Sequence, residues 1–163
     1  MIFTGNEGGL TALDRRQRGA ALLEFALAFP IFFLLIYGLL AYGILFFAQQ
    51  SMVLAVEEGV RAAVAVAPER YVDAQQRLDF AAYQAAVTSR AREVAQEHIQ
   101  WLPQAFRTHV EVEAALAADR LLVMRVRYPD YSARPIVPSI VLPGLGSIPP
   151  CPQELEAEAR FQL

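Results

Sequence analysis

The sequence predicts an α+β fold. A long N-terminal transmembrane helix runs on into a small domain that holds a second helix and a three-stranded antiparallel sheet. Three observations predict it. Phe25 to Ala48 is 24 residues without a formal charge, about 36 Å as a helix and enough to cross a bilayer. Apolar residues then keep helical spacing as far as Pro68. Beyond Pro103 the period drops to two in three separate runs.

The chain opens with a basic leader whose arginines are Arg15, Arg16 and Arg18. Positive charge beside a span stays cytoplasmic, so everything after about Ser51 belongs on the far side of the membrane. A secretory signal peptide has a shorter apolar core that ends at a cleavage site. Here the apolar run flows into Gln49-Gln50-Ser51 instead. The residue that needs explaining is Glu24, a carboxylate just inside the apolar segment, where an acid requires a partner or a purpose. A cut after Gly19 would supply one. Ala20 would then carry a positive α-amine at neutral pH, four residues from Glu24 on one helical face, able to pair within or between chains. Pro30 removes the usual donor to the Ala26 carbonyl and predicts a kink, unless neighbouring groups absorb it.

Val53, Val56, Val60 and Val64 extend the helical spacing past the membrane, and Glu57 and Arg61 form an i,i+4 acid-to-base pair. With Pro68 as terminator, the helix is expected over Ala20–Ala67. Its outer half carries an apolar stripe that a soluble domain must cover. A second helix is expected from Val72 to Leu102, between Pro68 and Pro103, with Leu78, Ala81, Ala82, Ala85, Val94 and Ile99 on its apolar face. Its alanines allow close approach to the first helix. Trp101 reads as a core or domain-edge residue.

Val110, Val112 and Ala114 alternate with His109, Glu111 and Glu113, and Leu122, Met124, Val126 and Tyr128 alternate with Val123, Arg125 and Arg127. Ala117-Ala118-Asp119-Arg120 makes the pair a hairpin. An antiparallel register with Glu113 opposite Arg125 and Glu111 opposite Arg127 leaves the apolar residues on one face. The third strand is the run Leu155, Ala157, Ala159, Phe161 and Leu163. Between the second and third strands, residues 129–152 contain seven prolines. Such a loop is expected to hold no regular ladder. An arm that docks on a partner and a passive connector both agree with it.

At 163 residues the chain has room for one span and one small domain. Every basic residue is Arg, the net charge is −3, and apart from the leader there is no basic cluster of the nucleic-acid-binding kind. Cys151 is the only cysteine, which rules out an intrachain disulfide. His98 and His109 lack partners at metal-ligand spacing. No nucleophile elbow, phosphate loop or catalytic carboxylate pair is present. The expectation is therefore a protein without cofactor, metal or enzymatic activity.

The order of basic leader, Gly19, small residue, Glu24, aromatic and apolar helix resembles the class III signal of type IV pilin-like proteins. More narrowly, Arg18-Gly19-Ala20-Ala21-Leu22-Leu23-Glu24-Phe25-Ala26-Leu27 is similar to the opening of the TadE-like family, minor pilins or pseudopilins of the tight-adherence (Flp) pilus system. Phe46-Phe47-Ala48-Gln49-Gln50 and Glu57-Glu58-Gly59-Val60-Arg61-Ala62-Ala63 also resemble that family. The resemblance covers residues 15 to 65. It implies a pilin-like architecture with a cytoplasmic leader (1–19), a transmembrane helix (20–48) in the bacterial inner membrane and a periplasmic domain (49–163). It further implies maturation at Gly19–Ala20 by a prepilin peptidase and registration of neighbouring subunits through Glu24. The implied partners are other TadE- or TadF-like minor pilins, the Flp pilin and the inner-membrane assembly platform, and the implied task is to initiate or anchor pilus assembly. An uncleaved single-span scaffold of a pilus or secretion machine, and a general-secretion pseudopilin, are the alternatives.

Overall fold

The computed structural model describes residues 8–142, 144, 146–149 and 151–163, with side chains from Gly19 onward. The elements are α1 (Gly8–Val64), a 3-10 turn (Pro68–Tyr71), α2 (Phe80–His98), the short α3 (Gln104–Arg107), β1 (Glu111–Leu116), β2 (Leu121–Tyr128), β3 (Ile140–Leu142), β4 (Gly146–Ile148) and β5 (Leu155–Gln162). A long N-terminal helix, a second helix and a three-stranded antiparallel sheet are all present, as expected. The chain divides into two compact units at Leu40/Ala41.

α1 is longer at its start and shorter at its end than Ala20–Ala67. It begins at Gly8, continues through Pro30 and stops at Val64. Backbone bonds from Ala65 to Arg61 and from Val66 to Ala63 close its last turn. In the unit from Ala41 onward, its buried face is Ala41, Ala48, Met52, Ala55, Val56, Gly59 and Ala63. The valine stripe expected there is therefore rotated, because Val64 is exposed and Val53 and Val60 are only half-buried. The small residues won the close contact: a Cβ added at Gly59 would lie 3.0 Å from the Ala91 carbonyl oxygen of α2 and 2.5 Å from Met124 Sδ of β2.

α2 starts eight residues later than expected. Asp73 Oδ1 accepts the amides of Gln75 and Arg77 at 2.8 Å each, Gln76 adopts φ +60°, and Val72 bridges Leu78. This closes a small loop before Asp79, whose side chain caps Ala82 N at 3.1 Å. Aspartate competes for nearby amides in this way, which disfavours helix interiors and favours caps. The buried face of α2 is Tyr83, Val87, Ala91 and Ala95, not the expected set, of which Ala81 and Ala85 are exposed. Past His98 the chain turns through the buried Ile99 and Leu102, and α3 follows.

The sheet order is β1-β2-β5. Glu111↔Arg127, Val112↔Val126, Glu113↔Arg125 and Ala114↔Met124 pair as the alternation requires. Arg120 at φ +64° and the Asp119 carboxylate, which accepts Leu121 N at 3.1 Å, shape the turn. β5 pairs with β2 from Leu121↔Gln162 to Tyr128↔Leu155. Leu122, Met124, Val126 and Tyr128 are buried on the inner face, each contributing about 1.5–3 kcal/mol by leaving water. Phe161 departs from its strand's pattern and stays 44% exposed.

The proline-rich stretch does hold a ladder, contrary to expectation. β3 and β4 pair as Ile140↔Ile148, Val141↔Ser147 and Leu142↔Gly146. The six strand residues contain no proline, so no amide is lost where the ladder needs one. Gly144 and Gly146, at φ +82° and +85°, supply the left-handed backbone of the reversal.

Candidate functional site

The residues that carry the functional expectation lie along α1. Gly19, Ala20 and Glu24 are all exposed within the helix, and a Cβ at Gly19 would meet nothing within 4 Å. Glu24 has no ion-pair partner among the described residues. The side chains of Arg15, Arg16 and Arg18 lie outside the described part of the structure. The structure thus places Ala20 and Glu24 one turn apart on an open surface. The Gly19–Ala20 bond lies inside a helix that must open locally before a peptidase can take it.

Next to Glu24 begins a row of rings at i,i+4 spacing. Phe25, Phe29, Phe33 and Tyr37 follow one another with centroid separations of 5.5, 6.2 and 6.2 Å. Their exposed faces form an apolar ridge suited to lipid or to a neighbouring helix. The span has the length and composition to cross a membrane between Gly19 and Val64.

Farther along, α1 changes from a surface that faces outward to one that holds a domain. Gln49 Nε2 donates to the Glu156 carbonyl at 2.9 Å, tying the start of β5 to the helix. Gly59 admits Ala91 and Met124. The sequence reading assigned neither residue a role. The signal for Gly59 was present, since a glycine inside a helix costs roughly 1 kcal/mol and usually marks a close approach. Arg61 pairs with Glu58 at 2.9 Å rather than with Glu57, the neighbour one turn away on its other side.

Two α2 side chains guard the outer edge of β1. Gln84 Nε2 donates to Leu116 O at 2.6 Å, and Arg92 Nη2 to Ala114 O at 2.8 Å. These occupy the alternate carbonyls that would otherwise recruit another strand.

The outer face of the sheet is an ion-pair ladder. Arg127 meets Glu111 at 2.9 Å, as the register predicts. Arg125 turns away from Glu113, and its Nε lies 2.8 Å from Glu156 Oε1 and 3.0 Å from Glu158 Oε2. Two carboxylates on β5 outweigh one on β1. Arg160 also reaches Glu158, at 2.6 Å. Hydrogen bonds from Arg125 and then Arg160 hold the Glu158 carboxyl below its ordinary value, and the hydrogen bond to Glu158 raises the Arg125 guanidinium.

His98 Nδ1 lies 2.9 Å from Val94 O in the last turn of α2, and Arg134 Nη1 lies 3.1 Å from His109 Nδ1. Cys151 is half-buried. The Tyr131 hydroxyl is buried without a hydrogen bond of good geometry, and burial raises its pKa, offset in part by the nearby amides of Ile136 and Val137. Among the described residues no group of His, Cys, Asp and Glu is arranged to hold a metal ion.

Residues 19–61 match the family described as TadE-like protein. The match begins at the expected processing glycine and ends at Arg61, two residues beyond the close approach at Gly59. No curated protein and no solved structure matches the chain.

Proposed function

We propose that this chain is a minor pilin, or pseudopilin, that helps initiate or anchor assembly of a Flp-type adhesive pilus after a prepilin peptidase cuts between Gly19 and Ala20. The carrying observation is the TadE-like segment at residues 19–61, in which the exposed Glu24 immediately precedes the uncharged run of residues 25–48. The protein acts by contact rather than catalysis. Its α1 enters a helical bundle with other TadE- or TadF-like minor pilins and the Flp pilin, at the inner-membrane assembly platform. Its C-terminal domain stands in the periplasm, with Arg15, Arg16 and Arg18 holding the leader inside. Glu24 sets the register, because a misaligned neighbour leaves an unpaired carboxylate in lipid.

Intact-mass measurement of the membrane-extracted chain, with and without active prepilin peptidase, tests the reading. Loss of the 19-residue leader supports it. A second reading, an uncleaved single-span scaffold, draws on one observation: α1 is helical from Gly8 straight through the Gly19–Ala20 bond. N-terminal sequencing separates the two, since a mature start at Ala20 leaves no room for the scaffold.

A further inference from the structure

The proline-rich loop is rooted at one end of the C-terminal unit. Its two ends pair directly, as Tyr128↔Leu155. Around that pair, Ala48, Met52, Trp101 and Ile136 line a void of about 10 Å³ together with Tyr128 and Leu155. The opposite end of the same sheet, at residues 117–120, is a charged and exposed turn. The loop therefore leaves the domain beside Ala48, the last residue of the uncharged run that begins at Phe25.

Ala41 shows how far the cover extends. It is 1% exposed, whereas Ala26 and Ala28 of the same helix are exposed, so helix neighbours alone do not bury an alanine here. Side chains outside the regular helix pattern therefore cover α1 two turns before Ala48, on the stretch that adjoins the root of the loop. A bilayer core takes about 20 helical residues, so a span starting at Phe25 ends near Ile44. Chain that covers Ala41 lies at the depth of the membrane interface.

The composition of the loop agrees with that depth. No formal charge occurs between Arg134 and Glu154, although charged residues crowd the strands on both sides. Val141, on the β3–β4 hairpin, is 75% exposed. Beside the loop's root, Trp101 packs edge-on against Phe47 at 4.7 Å and is 39% exposed, and tryptophan favours the headgroup level. Pairing within the hairpin satisfies its inward-facing backbone groups, and the outward-facing ones need the water and headgroups of the boundary rather than the hydrocarbon core.

We infer that the β3–β4 hairpin dips into the outer boundary of the bilayer that α1 crosses, with Val141 as its lipid contact, and so gives the domain a second foothold on the membrane. This rests on the reading of α1 as a membrane span, and the test keeps the two apart. Full-length chain carrying Cys151→Ser is given a single cysteine at Val141, at Ala118 in the distal turn, or at Leu39 in the span. Each is labelled with an environment-sensitive fluorophore and reconstituted into phosphatidylethanolamine–phosphatidylglycerol vesicles with nitroxide lipids spin-labelled near the headgroup or deep in the acyl chain. The deep nitroxide should quench Leu39. The shallow nitroxide should quench Val141 several-fold more than Ala118, with a blue-shifted emission at Val141. A Val141 probe that behaves like Ala118 while Leu39 is quenched overturns the hairpin inference and leaves the span standing. An unquenched Leu39 overturns both. A Val141 probe shielded from aqueous quencher but untouched by lipid nitroxide shows that protein covers the hairpin, which also overturns the inference.

Discussion

Gly59→Ala should destabilise the C-terminal unit even though it improves helix propensity. The new Cβ would sit 2.5 Å from Met124 Sδ, 2.7 Å from Met124 Cε and 3.0 Å from the Ala91 carbonyl oxygen. The thioether can swing away, but Met124 is fully buried and has little room to do so. The carbonyl belongs to the α2 backbone and moves only if the helix moves. Overpacking of this kind costs about 1–3 kcal/mol, against a gain of roughly 0.8–1 kcal/mol from replacing glycine in a helix. The net loss is up to about 2 kcal/mol, its upper part favoured because the Ala91 carbonyl cannot swing aside, which is several degrees in Tm, and Gly59→Val should cost more. The assay is thermal unfolding of the detergent-solubilised chain, followed by near-ultraviolet circular dichroism. Met124→Ala completes a double-mutant cycle. Because it removes two of the three clashing atoms, the double variant should be less destabilised than the sum of the single changes, by about 0.5 kcal/mol or more. Gly43→Ala is the control, since a Cβ there meets nothing within 4 Å. A Gly59→Ala protein as stable as the wild type would refute the close-approach argument.

Other outcomes follow from the same geometry. Gly19→Leu should leave a membrane-inserted precursor heavier by the leader in cells with active peptidase; equal mobility of mutant and wild type on a gel would remove Gly19 from the processing site. Glu24→Gln should insert at least as well as wild type, since it removes a charge from an apolar span, yet assemble fewer pili; wild-type piliation would make the carboxylate incidental. Arg92→Ala, and more so with Gln84→Ala, should uncover the Ala114 and Leu116 carbonyls, lower stability by about 1–3 kcal/mol and promote concentration-dependent association, read by light scattering. Glu158 has a depressed pKa, so its contribution is present above its ordinary value of 4.5 and is lost as pH falls through the lower folded value. The Tm gap between wild type and Glu158→Gln should accordingly close on acidification, and a gap independent of pH would deny the ion pairs any part in it.

What was legible in the sequence were the features with a strong period and a single competing pattern. The hairpin register could be read because a one-residue slip would set charges against apolar side chains, and Glu111↔Arg127 and Glu113↔Arg125 pair accordingly. The long apolar helix could be read because 24 uncharged residues follow one another without a terminator. The buried faces of α2 and of the later part of α1 could not. Alanine is abundant on all sides of α2, so hydrophobicity does not separate Ala91 and Ala95, which are buried, from Ala81 and Ala85, which are exposed. On α1 the valines drew attention, whereas contact with α2 favours the smallest residues. The start of α2 was missed because it was set from Pro68 alone, whereas Asp73 closes a loop after that proline and Asp79 caps the helix. The β3–β4 hairpin was hidden by counting prolines instead of asking where each one falls. At the candidate site, the residue types of Gly19, Ala20 and Glu24 could be read directly, but their local state, an exposed helix across the Gly19–Ala20 bond, could not.

Placement along the helix connects these residues to the proposed role. A subunit that joins a bundle needs two axial coordinates: the height of its helix among its neighbours, and the height of its domain on that helix. On the proposed reading Glu24 fixes the first, because only one height gives the carboxylate a partner. Gly59 fixes the second, because sliding α2 along α1 by a single residue would bring Ala91 and Met124 against Val60 or Glu58, where a side chain already fills the space that Gly59 leaves open. Gln49 adds a bond from the helix to the first residues of β5 and fixes the rotation as well as the height. The matched segment, residues 19–61, contains Glu24, Gln49 and Gly59, while the sheet they position lies outside it. A variant that loosens Gly59 without unfolding the domain should therefore mature and insert normally yet assemble poorly, the same phenotype expected of Glu24→Gln reached from the other end of the helix.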